Sequence, residues 1–374
     1  MACEVIHLDP RSPAWPDVDR AAHALTNGAL VAFPTETVYG LAANAAHAES
    51  VRRLREAKGR AADQPFTVHI GRRTDCEEFV PELSAVAQRL VKKGWPGPLT
   101  LIFPVHDPAR ARVHARLSRP GVESVYSNNT VGIRFPDDRI AERLLISTDG
   151  PIVASSANPT GSPPPTDGDA VRQQLGERVD ILLDAGPTRY RKSSTIVTLN
   201  GRGYKILRSG VLDERTIQRL ATVNILFVCT GNTCRSPMAA AFCAQMLAER
   251  IGCRLDELPA HGVIVHSAGT LGVSGGRASR EAVEVCRRQG LDISSHVPRG
   301  LDVELIGPAD YIYTMARHHV DVVRSLSPRD AAKACPIHPE EDIADPIGGS
   351  VEDYQRAADK IKEALGKRMS EVVI

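Results

Sequence analysis

Charge imbalance is the first thing this sequence lacks. Its 46 Lys and Arg stand against 45 Asp and Glu, a formal net charge of +1. That excludes a strongly basic chain that coats nucleic acid nonspecifically, while leaving room for a local basic patch. No apolar run approaches the roughly 20 residues that span a bilayer. The opening MACEVIHLDPRSP has early acids and prolines and no apolar core of the kind a secretory leader needs. Eight cysteines are scattered without the spacing of a disulfide framework. No internal repeat is evident. These absences together predict a soluble chain of the reducing cytoplasm with no membrane partner.

What is present divides in two. A chain of 374 residues, 42% of them hydrophobic, suggests two cores rather than one. A first block runs to the strand-like YKILRSG, Tyr204 to Gly210, and the polar, helix-like VLDERTIQRLAT follows it. We read residues 1–212 as one domain, 213–222 as a linker and 223–374 as a second domain. Both blocks alternate strand-like and helix-like runs, so each is α/β in class. The segment NPTGSPPPT, Asn158 to Thr166, excludes helix and reads as an exposed loop.

The second block opens on NILFVCTGNTCRSPMAAAF, Asn224 to Phe242. Asn224 to Val228 reads as a buried strand. Ser236-Pro237 reads as a helix start, with serine as N-cap and proline at the first helical position. The loop between them can gather backbone N–H groups beside a helix N-terminus, which is an anion site. The same field favours a thiolate, so Cys229 is a candidate nucleophile. Arg235 can hold two oxygens of a phosphoryl group. Cys-x5-Arg alone is a weak signal, but strand, small-residue loop and helix supply the context it needs. A thiolate nucleophile also needs an acid for the leaving group. Asp345, in ADPIGGSVEDYQRAADKIKEAL, is the candidate. Ser350 there caps a helix whose apolar positions are Val351, Tyr354, Ala358, Ile361 and Leu365. Cys234 lacks further ligands at zinc spacing, so no metal is expected.

VCTGNTCRSPMA together with SAGT (Ser267–Thr270), YIYTMARHH and DPIGG resembles the low-molecular-weight protein tyrosine phosphatase family, across essentially the whole second block. The resemblance implies a doubly wound parallel-sheet domain that needs no cofactor. It makes Cys229 the nucleophile of a phosphocysteine intermediate and Arg235 the phosphate clamp. Ser236 hydrogen-bonds the thiolate, Asp345 is general acid and then base, and Asn232 braces the loop that Thr230, Gly231 and Cys234 complete. Cys234 reads either as the partner that captures oxidised Cys229 in a disulfide or as a buried bystander. Packing is the default for Cys243, Cys253 and Cys286. Thr233, where a bulky aliphatic is usual, and Ile347-Gly348-Gly349, where aromatics are usual, resemble the protein arginine phosphatases of this family. Threonine supplies a hydroxyl for a guanidinium and removes apolar wall from a phenyl ring. A phosphotyrosine phosphatase and an arsenate reductase are the alternatives. The second normally wants further cysteines, and Cys286 and Cys335 have no redox-pair context.

In the first block, ALVAFPTETVYGLAANA (Ala29–Ala45) reads as strand and polar loop, and HAESVRRLREAKGR as a helix ending in basic residues. PGPLTLIF, TVGIRFP, PIVASSANPTG, SSTIV and ILRSG each set a strand end beside Ser, Thr, Asn or Arg, a pattern suited to a phosphate-binding cavity. Neither G-x-x-x-x-G-K-[ST] nor G-x-G-x-x-G occurs. Lys58 and Arg60 taken alone are ordinary charges at a helix C-terminus. With Lys58-Gly59-Arg60 and Ser156-Ala157-Asn158, however, residues 15–212 resemble the YrdC-type threonylcarbamoyl-AMP synthases, a twisted mixed-sheet α/β family.

That resemblance implies condensation of L-threonine, bicarbonate and ATP with accompanying Mg2+. The product would serve tRNA threonylcarbamoyladenosine formation by separate transferase proteins, and double-stranded RNA binding is also implied. Thr35, Arg134, Ser194 and His69 would face threonine. Lys58, Arg60, Thr130, Ser156, Asn158 and Arg208 would hold ATP. Departures from the family are Thr198 after STIV, Asp137-Asp138 after the arginine strand, and RVHARLSRPGVESVYSNN (Arg112–Asn129), which reads as an altered lid. A non-catalytic module that grips RNA or nucleotide is the rival reading.

Overall fold

A computed structural model describes residues 3–61, 63–201, 203–272 and 275–374. The chain separates into two compact units, Met1–Leu220 and Ala221–Ile374. Among the described residues no helix is long and apolar enough to cross a membrane.

The strands of the first unit are β1 (Glu4–His7), β2 (Val31–Phe33), β3 (Gly40–Asn44), β4 (Thr67–His69), β5 (Leu99–Pro104) and β6 (Tyr126–Ser127). They continue with β7 (Thr130–Arg134), β8 (Ile152–Ser156), β9 (Ile181–Asp184), β10 (Thr195–Asn200) and β11 (Gly203–Arg208). They form one mixed sheet in the order β1-β9-β2-β3-β8-β4-β7-β5-β10-β11, with β6 added on β7. β2 and β3 are buried at every position, as central strands covered on both faces must be. The GLAAN of β3 is weak as a strand signal, because glycine and alanine are poor β-formers. Pairing decides it: Ala42 lies opposite Val31 on one side and Ala154 on the other. Helices Trp15–Thr26 and Arg139–Ser147 close one face, setting Val18, Ala22 and Leu25, and Ile140 and Leu144, against Phe33, Ala42 and Ala154. Asp138 caps the second of these helices through the N–H groups of Ile140 and Ala141, both at 2.9 Å. Helix Ala48–Lys58 ends at Gly59, whose φ of 58° is the left-handed turn that glycine adopts freely. That reversal sets Lys58 and Arg60 on either side of the turn.

Stretch 213–222, read as a linker, is mostly the helix Glu214–Ala221, with Asp213 accepting from the N–H of Thr216 at 2.8 Å.

The second unit has β12 (Val223–Cys229), β13 (Val263–Gly269), β14 (Tyr311–Thr314) and β15 (Ala334–Pro336), all parallel in the order β13-β12-β14-β15. Alternate residues of β12 serve two cores. Val223, Ile225 and Phe227 pack with helices Arg235–Ile251 and Val351–Arg368. Leu226 and Val228 pack with Ile306 and Val323 on the other face. Helices on both faces of a parallel sheet make this unit doubly wound. In helix Val351–Arg368 the buried residues include Tyr354, Ala358, Ile361 and Leu365, on the stripe the sequence spacing requires.

Candidate active sites

In the first unit the register across β4, β7 and β5 sets His69 opposite Arg134 and Arg134 opposite Thr100. Arg134 is buried. It lies 3.0 Å from the buried Glu36 and donates to the hydroxyls of Thr37 at 2.6 Å and Thr35 at 3.4 Å. The Thr35 hydroxyl donates to the carbonyl of Val38 at 2.6 Å, so the PTETV loop wraps its hydroxyls around the guanidinium. Thr100 and Ser194 join hydroxyls at 2.9 Å, and Arg208 donates to the carbonyl of Ser194 at 2.8 Å. Burial, and then Arg134, push His69 down to about 3, so its ring is neutral. Thr35, His69, Thr100, Arg134, Ser194 and Arg208, with Arg60, Ser155 and Ser156, border a cavity of about 180 Å³. That is below the ~300–1,000 Å³ of drug-sized pockets and suits a ligand of amino-acid size.

Arg60 donates to the hydroxyl of Ser155 at 3.3 Å and lies over the Phe66 ring, 5.0 Å from its centroid. The Nε of Arg60 and the Nε of Arg134 are buried and have no partner among the described residues. Lys58 donates to the carbonyls of Ser156 and Asn158 just behind the wall. Burial, and then Arg60, push its ammonium down to about 8. Asn158 spends its amide N–H groups on the carbonyls of Pro159 at 2.8 Å and Ser162 at 2.7 Å, so it shapes the loop that Lys58 grips.

Two of the expected elements lie apart from this cavity. Thr130 is not brought to the cavity. Its hydroxyl donates to the carbonyl of Ser127 at 2.8 Å, at the far end of β7, roughly 13 Å from Arg134 at strand rise. Nor do residues 112–129 cover the cavity. Ser118 caps helix Arg119–Val125 and donates to the carbonyl of Ala45 at 2.9 Å, which ties the segment elsewhere.

In the second unit β12 delivers Cys229 to the start of the phosphate loop. The Cys229 sulfur is 3.0 Å from the Ser236 hydroxyl and accepts from the backbone N–H of Asn232 at 3.2 Å. Asn232 has a φ of 57°, a conformation that asparagine tolerates better than most residues. Its side-chain amide donates to the hydroxyls of Ser236 and Ser267, both at 2.9 Å, and its Oδ1 accepts from the N–H of Arg299 at 3.0 Å. Ser236 accepts from Asn232, and its hydroxyl lies within reach of both the sulfur and, at 3.4 Å, the carbonyl of Ala268. Ser236 is not the helix N-cap: the helix starts at Arg235 with Cys234 before it.

Arg235 donates to the carbonyl of Ile343 at 2.9 Å, pairs with Asp345, and reaches the Thr230 hydroxyl at 3.3 Å. Its buried Nε has no partner among the described residues. Thr230 in turn lies 3.0 Å from Nε2 of the buried His319. The sulfur of Cys234 sits 3.3 Å from the Tyr354 hydroxyl and 3.4 Å from that of Thr233, and it is free, like Cys229. Burial, and then the Cys234 contact, push Tyr354 up to about 12. Gly269 of β13 lies against the loop, where a Cβ would come within 2.9 Å of the Asn232 nitrogen and 2.7 Å of the Thr230 carbonyl.

Two family models match this chain. One, named Sua5/YciO/YrdC and described as telomere recombination, matches residues 23–210. The other, low molecular weight phosphotyrosine protein phosphatase, matches residues 224–373. The chain belongs to the Sua5/YciO/YrdC family and carries a low-molecular-weight phosphatase domain fused behind it. A threonylcarbamoyl-AMP synthase of Pyrococcus abyssi is 37% identical over 216 residues, which is 58% of this chain and 60% of that protein. One of Bacillus subtilis is 38% identical over 211 residues, 56% of this chain and 58% of that protein. The chain thus spans about 60% of the length of these relatives. The crystal structure of P. abyssi Sua5 complexed with L-threonine matches with a TM-score of 0.52 and 25% identity, covering 71% of this chain and 92% of that one.

The YrdC unit uses residues that the sequence did not single out. Glu36 and Thr37 sat inside the quoted PTETVYG, but nothing in the pattern says that Glu36 pairs with a residue on β7. Thr100 and Ser155 likewise enter by strand register. In the phosphatase unit, Ser267, Arg299 and His319 support the loop from other elements. Among the described residues no group of three or more His, Cys, Asp or Glu is placed to hold a metal ion. Magnesium that travels with a nucleotide is bound largely through phosphate oxygens.

Proposed function

We propose that the YrdC unit joins L-threonine, bicarbonate and ATP into threonylcarbamoyl-AMP, releasing pyrophosphate and water. The observation that carries this is the buried Arg134, framed at the cavity by His69, Thr100 and the Thr35 hydroxyl. It offers a carboxylate a fixed cationic seat. Arg60 and Arg208 supply positive charge along the same wall, with Lys58 behind it, where phosphate charge grows as the α-phosphorus is attacked. A threonine carbamate oxygen attacks that phosphorus, and the bond to the pyrophosphate oxygen breaks. Magnesium bound to the nucleotide would screen the phosphates. The product is an activated carbamoyl donor suited to tRNA modification by a separate transferase. Pyrophosphate release that depends on both threonine and bicarbonate tests this reading. A purely binding module would release none.

The phosphatase unit hydrolyses phosphoprotein. Cys229 attacks phosphorus while Ser236 stabilises its thiolate and Arg235 holds the equatorial oxygens. Asp345 gives a proton to the leaving group, then takes one from the water that opens the phosphocysteine. The Thr233 hydroxyl beside the loop and the short Ile347-Gly348-Gly349 stretch favour phosphoarginine as substrate. Phosphate release from phosphoarginine peptides in preference to phosphotyrosine peptides, lost in Cys229→Ser, is the expected result. The reverse preference keeps the chemistry and removes the arginine assignment. Release that survives the substitution removes the cysteine mechanism.

A further inference from the structure

His319 lies on helix Arg317–Leu326, outside the phosphate loop, and is fully buried. Its Nε2 is 3.0 Å from the Thr230 hydroxyl, while its Nδ1 is buried without a partner among the described residues. The groups facing it are His318, with ring centroids 4.0 Å apart, the Arg235 guanidinium and the Asp342 carboxylate. Burial, then His318 and Arg235, push its ring down to about 4 against the opposing effect of Asp342. The imidazole is therefore neutral near pH 7 and carries one N–H.

Where that hydrogen sits decides what Thr230 can do. On Nδ1 it would be a buried N–H with no acceptor, the rarest kind of orphaned group. On Nε2 it has Thr230 as its acceptor. The Thr230 oxygen then accepts from both His319 and the Nη2 of Arg235 at 3.3 Å, which fills its two lone pairs. Its own O–H is left to donate. Thr230 is partly exposed while His319 and Arg235 are buried, so that hydrogen turns to the open side of the loop.

We propose that His319 is a positioning residue that fixes Thr230 as a hydrogen-bond donor to a phosphoryl oxygen of the substrate. The proposal rests on the phosphatase reading and adds a donor to it. Charge builds on those oxygens as phosphorus is transferred, so the bond strengthens in the transition state and acts on kcat more than on KM.

The test uses the full chain with p-nitrophenyl phosphate and the variants Thr230→Val, His319→Leu, His319→Gln and the Val/Leu double. The two single apolar variants are each expected to lose about ten- to a hundredfold in kcat, with KM moving less than about threefold. The double should be no slower than the slower single, because one donor is being removed twice. His319→Gln keeps an N–H near the Nε2 position and should restore most of the rate. Histidine-selective 15N NMR of the full chain should place the ring hydrogen on Nε2.

Independent losses that multiply, a glutamine variant as slow as leucine, or a hydrogen on Nδ1 would each overturn the proposal. Should His319→Leu not fold, the glutamine variant and the tautomer decide it. Tungstate binding by calorimetry separates this idea from the phosphatase reading. A chain that binds tungstate with the same non-additive losses but turns over no phosphoester keeps the proposal and loses that reading. A chain that does not bind tungstate loses both.

Discussion

The backbone N–H of Asn232 donates to the sulfur of Cys229 at 3.2 Å, and the Asn232 side chain holds the serine that meets the same sulfur. One residue thus supports the sulfur by two routes, and its left-handed backbone makes the first possible. Asn232→Gly keeps the backbone conformation but removes the amide that binds Ser236, Ser267 and Arg299. With three buried hydrogen bonds lost, the second unit should lose about 2–3 kcal/mol in denaturant titration. Phosphatase kcat should fall by at least tenfold, and a variant with unchanged kcat would show that the Ser236 hydroxyl needs no fixing.

Arg134 and Glu36 form a buried pair, with side chains 7% and 1% exposed. Arg134→Met strands the carboxylate and should cost about 3–5 kcal/mol in the stability of the first unit. Adding Glu36→Gln should return at least half of that. Threonine binding, followed by calorimetry, should be lost in both, because the seat for the carboxylate is gone. Recovery of threonine binding in the double variant would move the amino-acid site away from Arg134.

Lys58 is pushed down to about 8 by burial and by Arg60, so above that pH it is largely neutral in the folded protein. Bound phosphate favours the ammonium form and draws the pKa back up. Nucleotide binding near pH 8.5–9 should therefore take up protons, at most about one per site. Calorimetry in buffers of different ionisation enthalpy measures this. The uptake should vanish in Lys58→Met and shrink below pH 7, where the side chain is already charged.

Thr233 stands in the loop with its hydroxyl near Cys234. Thr233→Ile exchanges a polar contact for apolar wall. The ratio of kcat/KM on phosphoarginine against phosphotyrosine peptides should fall by about tenfold or more, within the range that a lost hydrogen bond to substrate allows. An unchanged ratio would mean that Thr233 only fills space.

The phosphate loop was legible because its chemistry is contiguous. Strand, small residues, cysteine, arginine and helix follow one another, and the local hydrogen bonds lie within eight residues of Cys229. Asp345 was legible from a loop and a capped helix. The YrdC cavity is of another kind, drawing on β4, β5, β7, β8 and the turns before β3 and β10. Thr100 and Ser155 reach it only through register, which a single sequence does not print, and Glu36 stands behind it as the partner of Arg134. Thr130 lies apart from this cavity for the same reason: it shares β7 with Arg134 but sits at the other end. Ser236 shows a different limit. Serine before proline carries a helix-cap signal, yet the helix begins one residue earlier and the Ser236 hydroxyl lies 3.0 Å from the Cys229 sulfur.

Gly269 has no part in any reaction step, yet it works as a casting mould. A methyl group there would strike the backbone of the loop at Thr230, Gly231 and Asn232. The curvature of the loop is therefore impressed from the neighbouring strand, which seven register pairs lock to β12. Whatever loosens that pairing blurs the mould, so the reactivity of the sulfur is tied to the cohesion of the sheet before any substrate arrives.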